Sequence, residues 1–179
     1  MSERFRTLLM PMLAEALTRH GVEPLTKGRC TQVIDLFETQ EQGLWGCSDP
    51  EDLHALAAAY DEAGRRDMAV VCWRRYVELF PEDSMGYFNL GYDLTRNKKE
   101  FVEEGRQALE RAIEFDPTNI VIRHEMVLNC SIRGDVGGEI ENLRFIIANS
   151  DPEDEHDLIL VEEARFHLDR ISSIAGDAQ

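Results

Sequence analysis

The sequence predicts an all-α protein built from antiparallel helix pairs, and three observations support this prediction. Apolar residues recur at helical spacing along most of the 179 residues, as they do from Leu8 to Leu17. Prolines recur at a nearly constant interval, because Pro117 follows Pro81 by 36 residues and Pro152 follows Pro117 by 35. The composition, 43% hydrophobic and 30% charged with 6 prolines, is typical of a folded chain rather than a disordered one.

Residues 1–49 are expected to form a helical hairpin. Its first helix follows the apolar face that includes Leu8 and Leu17, and Gly21 ends it. A second helix is expected over roughly residues 29–42, before Gly43. This segment lacks the pattern that recurs further along the chain. Because terminal units of helical arrays cover a core that would otherwise be exposed, we interpret residues 1–49 as an N-terminal cap.

Residues 50–83 carry the clearest pattern in the chain. Its spacing predicts helices over 50–62 and 66–79 with a turn at Gly64, and it reads L-x2-L-A-x2-Y…A-x3-W…P from Leu53 to Pro81. This pattern resembles that of the tetratricopeptide repeat (TPR), a helix–turn–helix unit of about 34 residues with the signature W-x2-L-G-x2-Y…A-x3-F…P. Ala57 and Ala69 are expected to be small because the two helices cross closely there.

Two weaker repeats follow, over 84–117 and 118–151. The second repeat carries Tyr87-x2-Leu90-Gly91-x2-Leu94, and its extra length is expected in the polar turn 97–100. The third repeat is degenerate, and its adjacent glycines at 137–138 predict a loose turn or a late start of the second helix.

Residues 152–179 are expected to form a C-terminal capping helix with one apolar face. Ile159 and Phe166 lie off that face and mark a possible contact surface. The residues predicted to line the apolar face are Leu158, Val161, Ala164, Leu168 and Ile171.

The resemblance implies a right-handed α-solenoid of about three repeats with helical caps, a TPR-like superhelix. It also implies a protein–protein interaction module that binds a peptide or protein segment on its concave face. The face opposite the packing residues is then the expected groove, in which Phe88 and Tyr92 could form an aromatic shelf or pack between neighbouring helices. The predicted groove residues are His54, Ala58, Asp61, Phe88, Asn89, Tyr92, Thr95, Ile122, Arg123, Met126 and Asn129.

Some TPR domains hold the C-terminal carboxylate of a chaperone with a clamp of Lys, Asn and Arg residues. The matching positions here are His54, Ala58, Asn89, Asn119 and Arg123, of which only Asn89 and Arg123 agree. The net charge of -16 also disfavours an acidic ligand, so a basic or hydrophobic segment is the expected partner. The same charge argues against binding to nucleic acid or to an anionic membrane surface.

No motif indicates catalysis, so the chain is expected not to be an enzyme. The five histidines show no metal-ligand spacing, and neither a G-x-S-x-G nucleophile motif nor a phosphate-binding glycine loop occurs. The Glu163-x3-His167 pair lacks matching ligand motifs on other helices. We therefore predict neither a cofactor nor a metal.

Location and assembly are less closely defined by the sequence. The four cysteines are far apart and form no disulfide framework, which favours a reducing, cytoplasmic compartment. The apolar run near the N terminus is short and interrupted by Pro11, so it is not read as a signal peptide. Two other functions stay open: a holding chaperone for a secreted or assembling protein, and a self-assembling structural scaffold. The oligomeric state is left undecided.

Overall fold

The computed structural model describes Ile34 and residues 47–177, with side chains as far as Ser173. Within this part of the chain every regular element is a helix, so the predicted all-α class of antiparallel helix pairs is confirmed. A short 3-10 helix, Lys99–Phe101, occupies the turn that was expected to hold the extra residues. The α-helices are α1 (Pro50–Glu62), α2 (Arg66–Leu79), α3 (Ser84–Asn97), α4 (Val102–Phe115), α5 (Ile120–Arg133), α6 (Val136–Asn149) and α7 (Glu155–Asp177).

The bounds of α1 and α2 are those predicted from the sequence, and local chemistry explains them. The Asp49 carboxylate accepts the backbone N–H of Glu51 at 3.0 Å, and Pro50 follows at a position where no helical N–H is needed. The turn between the helices contains Gly64 at φ +75°, a left-handed conformation that favours glycine. The predicted hairpin at residues 1–49 lies outside the described residues, apart from buried Ile34 and residues 47–49.

The chain divides into two compact units, the first ending at Asp93 and the second beginning at Leu94, so that the boundary falls within α3. In the first unit α1 packs against α2. Ala57 and Ala69 are 0% exposed, as expected where two helices cross closely, and Leu53 and Leu56 are buried beside them.

The start of α3 is held against α2 by a hydrogen bond and a close approach. The Tyr76 hydroxyl donates to Asp83 Oδ2 at 2.5 Å, and the other Asp83 oxygen accepts the backbone N–H of Met85 at 2.9 Å. A Cβ atom placed on Gly86 would lie 2.6 Å from the Tyr76 ring. Glycine at this position therefore lets α3 lie directly on that ring.

In the second unit α5 packs against α4 and α6, and α6 packs against α7. Asn129 of α5 is 0% exposed, and its side-chain amide donates to Thr95 Oγ1 at 3.0 Å and to the Val102 carbonyl at 2.8 Å. The core of this unit consists of Ile120, Val127, Leu143, Ile146, Leu160, Val161 and Ala164.

Two local expectations for the second unit were wrong. No loose turn or late helix start occurs at residues 137–138, because α6 begins at Val136 and Asp135 caps it by accepting the Gly138 N–H at 3.0 Å. Leu158 is 46% exposed because it lies in the first turn of α7, and Leu160 takes its place in the core, one helical turn before Ala164. Ile159 and Phe166 are exposed, as their positions off the apolar face predicted.

Candidate functional site

A cavity of about 300 Å³ lies between α1 and α3 in the first unit, with Trp73 contributed by α2. Helical spacing explains why α1 and α3 each present several side chains to it, since residues three and four apart share a face. The lining residues are His54, Ala57, Ala58, Asp61, Glu62, Trp73, Phe88, Asn89, Tyr92 and Asp93.

Aromatic rings line both sides of this cavity. The His54 ring meets the buried Trp73 ring edge-on, with centroids 5.1 Å apart and an interplanar angle of 86°. On α3 the half-buried rings of Phe88 and Tyr92 lie one helical turn apart, with centroids separated by 6.3 Å. These rings offer flat apolar faces to a side chain that enters the cavity.

The charged part of the cavity is organised around Asp93, which is 2% exposed. Its Oδ1 atom lies 3.4 Å from Nε of Arg66 at the start of α2, and the Trp73 indole N–H donates to the same carboxyl group. The Arg66 Nε also donates to Asp61 Oδ1 of α1 at 2.8 Å. Arg66 therefore joins carboxylates from α1 and α3.

The pKa of Asp93 is raised from 3.8 to about 7, first by burial and second by the neighbouring Asp61 charge. The Arg66 guanidinium and the Trp73 hydrogen bond act in the opposite direction without restoring the ordinary value. Near neutral pH, Asp93 is consequently divided between its protonated and ionised forms.

The structure brings six of the predicted groove residues to this one cavity: His54, Ala58, Asp61, Phe88, Asn89 and Tyr92. Two further predicted groove residues, Arg123 and Met126, belong to the second unit and line a different cavity there, of about 470 Å³. Met126 is 5% exposed, so little of its side chain is accessible.

The Arg123 side chain makes its contacts with other side chains of the second unit. Its guanidinium lies over the Phe145 ring, 4.3 Å from the centroid, and its Nη1 donates to Asn142 Oδ1 at 3.3 Å. Asn119, which matches a position of the carboxylate clamp, accepts the backbone N–H groups of Val121 and Ile122 and so caps α5. Thr95, Ile122 and Asn129, which shared the predicted groove faces, are buried.

Sequence reasoning missed Asp93, which is the most perturbed group in the cavity. A signal was present, because Asp93 lies three residues after Leu90 and directly before Leu94, on the apolar face of a predicted helix. A carboxylate on such a face indicates a buried charge that needs a partner. That partner, Arg66, comes from another helix, and helical spacing within α3 could not identify it.

A further cavity of about 470 Å³ in the second unit is lined by residues of α3, α5 and α7. Its histidines already face carboxylates: His124 Nε2 lies 3.3 Å from Glu163, and His167 Nδ1 lies 3.7 Å from Glu139. Among the described residues, no group of three or more His, Cys, Asp or Glu side chains is arranged to hold a metal ion. No helix of residues 47–177 is both long enough and apolar enough to cross a membrane.

The fold is that of TPR-like helical-repeat proteins, and similarity to solved structures establishes this class. MamA 41-end from Desulfovibrio magneticus RS-1 aligns with a TM-score of 0.64 and 16% identity, over 99% of this chain and 98% of that one. A MamA RS-1 ArsTM double mutant aligns with a TM-score of 0.62 and 16% identity, over 100% and 98% of the two chains.

A mutant O-GlcNAc transferase from Thermobaculum terrenum aligns with a TM-score of 0.59 and 22% identity over 85% of this chain. The aligned region is only 28% of the transferase, and at such identities the similarity concerns the fold alone. No protein-family model matches the sequence. No curated protein matches it either.

Proposed function

We propose that the chain is a non-catalytic protein–protein interaction module that binds a peptide or protein segment at the cavity between α1 and α3. The observation that carries this proposal is the convergence of half-buried aromatic, amide and carboxylate side chains from two helices on one cavity of a TPR-like fold. Such a mixture offers apolar contact together with polar groups that fix the orientation of a ligand.

The size of the cavity favours a segment of a larger partner over a free small molecule. Its volume of about 300 Å³ is at the lower end of the range for small-molecule sites. A space of this size accommodates one side chain, while neighbouring residues of the partner lie along the exposed surfaces of α1 and α3. The partner's affinity would then depend on one anchoring residue, as is common at protein interfaces.

Electrostatics favours a basic or hydrophobic segment over an acidic one. The chain has 19 Lys and Arg against 35 Asp and Glu, and the cavity itself includes Asp61, Glu62 and Asp93. A positively charged partner is attracted to this surface, whereas nucleic acids and anionic membranes are repelled.

The test is affinity capture from cells of the source organism, quantified by mass spectrometry, with matched variants of α3. The Phe88→Ala/Tyr92→Ala double variant should recover at least tenfold less of the specific partner than wild type does. Met85→Ala serves as the control, because Met85 is 47% exposed on the same helix but does not line the cavity. Equal recovery by wild type and the double variant would exclude this cavity as the binding site.

A second candidate, a self-assembling scaffold, is favoured by the exposed apolar residues on α7. Ile159 and Phe166 are 56% and 64% exposed and lie seven residues apart, so they project from one face of the helix. A scaffold would show a mass above that of the monomer in light scattering, and Phe166→Ser would reduce it. A monomeric mass at all concentrations would exclude this function.

We also propose a reducing, cytoplasmic compartment. Cys47, Cys72 and Cys130 are free and buried. Burial raises the pKa of each thiol, in the case of Cys72 to about 12, so these groups stay protonated and unreactive. Fractionation of cells of the source organism should recover the chain with the cytoplasmic proteins, and recovery in the secreted fraction would contradict the proposal.

A further inference from the structure

The charges around the cavity between α1 and α3 are unbalanced. Among the described residues that line it none is lysine or arginine, whereas Asp61 and Asp93 are both carboxylic acids. Arg66 reaches Asp61 and Asp93 from the start of α2, so a single guanidinium interacts with both carboxylates. Arg66 therefore does not fully neutralise the two carboxylates, and a second cation would be attracted to this site.

The apolar lining suits the stem of a long basic side chain. Ala58 on α1 and the rings of Phe88 and Tyr92 on α3 line the same cavity as the carboxylates. Lysine and arginine bury their methylene groups on apolar surface while the charged end reaches polar partners. Aromatic faces also attract cations within about 6 Å of the ring centre.

From this arrangement we infer that the cavity takes one lysine or arginine side chain of the bound segment, with its charged end at Asp61, which shares Arg66 with the buried Asp93, and its stem beside Phe88 and Tyr92. This inference rests on the proposed function and specifies the anchoring residue of the partner. It predicts that the partner's positive charge, rather than its apolar surface, determines selection at this cavity.

Binding of a cation at this cavity would release a proton from Asp93. With the cavity empty, Asp93 carries a proton in part of the molecules near neutral pH, because burial raises its pKa to about 7. An incoming cation stabilises the ionised form, so the proton leaves for the solvent as the ion pair forms. Among the described residues, the other titratable or charged groups near Asp93 are His54, Asp61 and Glu62 on α1, Arg66 and Cys72 on α2, and Tyr92 on α3.

The test uses the full chain and synthetic nonapeptide pools with acetylated and amidated ends. Each pool has one fixed central residue, which is arginine, lysine, citrulline, norleucine or glutamate, flanked by randomised uncharged residues. Citrulline has the shape of arginine without its charge, so the two pools differ only in the feature under test. Binding is measured by fluorescence anisotropy for wild type, Phe88→Ala/Tyr92→Ala and Met85→Ala.

The arginine and lysine pools should bind wild type at least tenfold more tightly than the citrulline and norleucine pools, and the binding of every pool should weaken in the Phe88→Ala/Tyr92→Ala variant. Equal binding of the arginine and citrulline pools, lost in that variant, would overturn the cation inference and leave the proposed function intact. Absence of binding by every pool would overturn both. Preference for the glutamate pool would overturn the cation inference and indicate an acidic partner.

A pH series supplies an independent readout. If binding of the cation requires ionised Asp93, the affinity for the arginine and lysine pools should rise about tenfold between pH 6 and pH 8. The ionised fraction of Asp93 rises by about that factor over this range when its pKa is about 7. Asp93→Asn should weaken binding and remove this rise, whereas His54→Gln and the exposed-site control Glu82→Gln should retain it. A rise that is unchanged in Asp93→Asn, or abolished by His54→Gln, would contradict the role assigned to Asp93.

Discussion

Asp93 Oδ1 lies 3.4 Å from Arg66 Nε, and this contact links α3 to the start of α2 beside a cavity lined by aromatic rings. The Asp93 side chain is almost completely buried, yet Arg66 also serves Asp61. Because one guanidinium is divided between two carboxylates, the charge of Asp93 is only partly compensated. A buried acid of this kind costs stability when it is ionised.

The first prediction concerns the pH dependence of folding. An acid whose pKa is higher in the folded chain than in the unfolded chain binds its proton more tightly when folded, so stability falls as pH rises through the window between the two values. For Asp93 that window extends from 3.8 to about 7. Relative to wild type, Asp93→Asn should therefore gain about 2–3 kcal/mol of unfolding free energy between pH 5 and pH 8.

Urea unfolding followed by circular dichroism at several pH values measures this difference. Glu82→Gln, which removes an exposed carboxylate from the same unit, is the control and should follow the wild-type curve. If Asp93→Asn and wild type differ by the same amount at every pH, Asp93 does not titrate as the geometry indicates.

The second prediction concerns the close approach at Gly86. A methyl group at this position would lie 2.6 Å from Cδ1 and 2.7 Å from Cε1 of the Tyr76 ring, which is buried and tied to Asp83. Gly86→Ala should destabilise the chain by about 1–3 kcal/mol, despite the higher helix propensity of alanine.

A double-mutant cycle identifies the cause of that loss. In a Tyr76→Ala background the ring is absent, so adding Gly86→Ala should cost little or should stabilise the helix. If Gly86→Ala destabilises the Tyr76→Ala background as much as it destabilises wild type, overlap with the Tyr76 ring is not the cause of the loss. Thermal unfolding of the four proteins provides the measurement.

The third prediction uses the adjacent glycines at the start of α6 as a matched pair. A Cβ on Gly137 would have its nearest neighbour at 3.8 Å, an ordinary contact, whereas a Cβ on Gly138 would lie 2.8 Å from Asp135 Oδ2 and 2.9 Å from Cys130 Sγ. Gly137→Ala should stabilise the chain by about 0.5–1 kcal/mol, and Gly138→Ala should destabilise it by about 1–2 kcal/mol. Denaturant midpoints of the two variants should shift in opposite directions, and equal shifts would refute this account of the α6 start.

The sequence predicted the local elements well because helix bounds depend on residues close together in the chain. The spacing from Leu53 to Pro81 predicted α1 and α2 to the residue, since a capping aspartate and a turn glycine mark their ends. Helical spacing also placed His54 and Asp61 on one face of α1, and Phe88 and Tyr92 on one face of α3. The structure brings these two faces to one cavity.

Roles that depend on two residues far apart in the chain could not be predicted from local spacing. The buried state of Asp93 depends on Arg66 and Trp73, which come from another helix. The requirement for glycine at 138 depends on Cys130, on the neighbouring helix α5. Arg123 could be assigned to a face of α5 by spacing, but its contact with Phe145 of α6 is a property of the packed pair.

The Trp73 indole N–H provides the most direct test of the central claim, because it donates to Asp93 at the cavity between α1 and α3. The chain has 2 tryptophans, so a Trp73→Phe variant assigns its indole resonance in a ¹H–¹⁵N spectrum of the full chain. On titration with the arginine-centred peptide pool, we expect the Trp73 indole signal and the amides of residues 54–62 and 88–93 to shift together and to saturate. Saturable binding that leaves the Trp73 indole unchanged and shifts residues elsewhere would contradict the assignment of this cavity as the binding site.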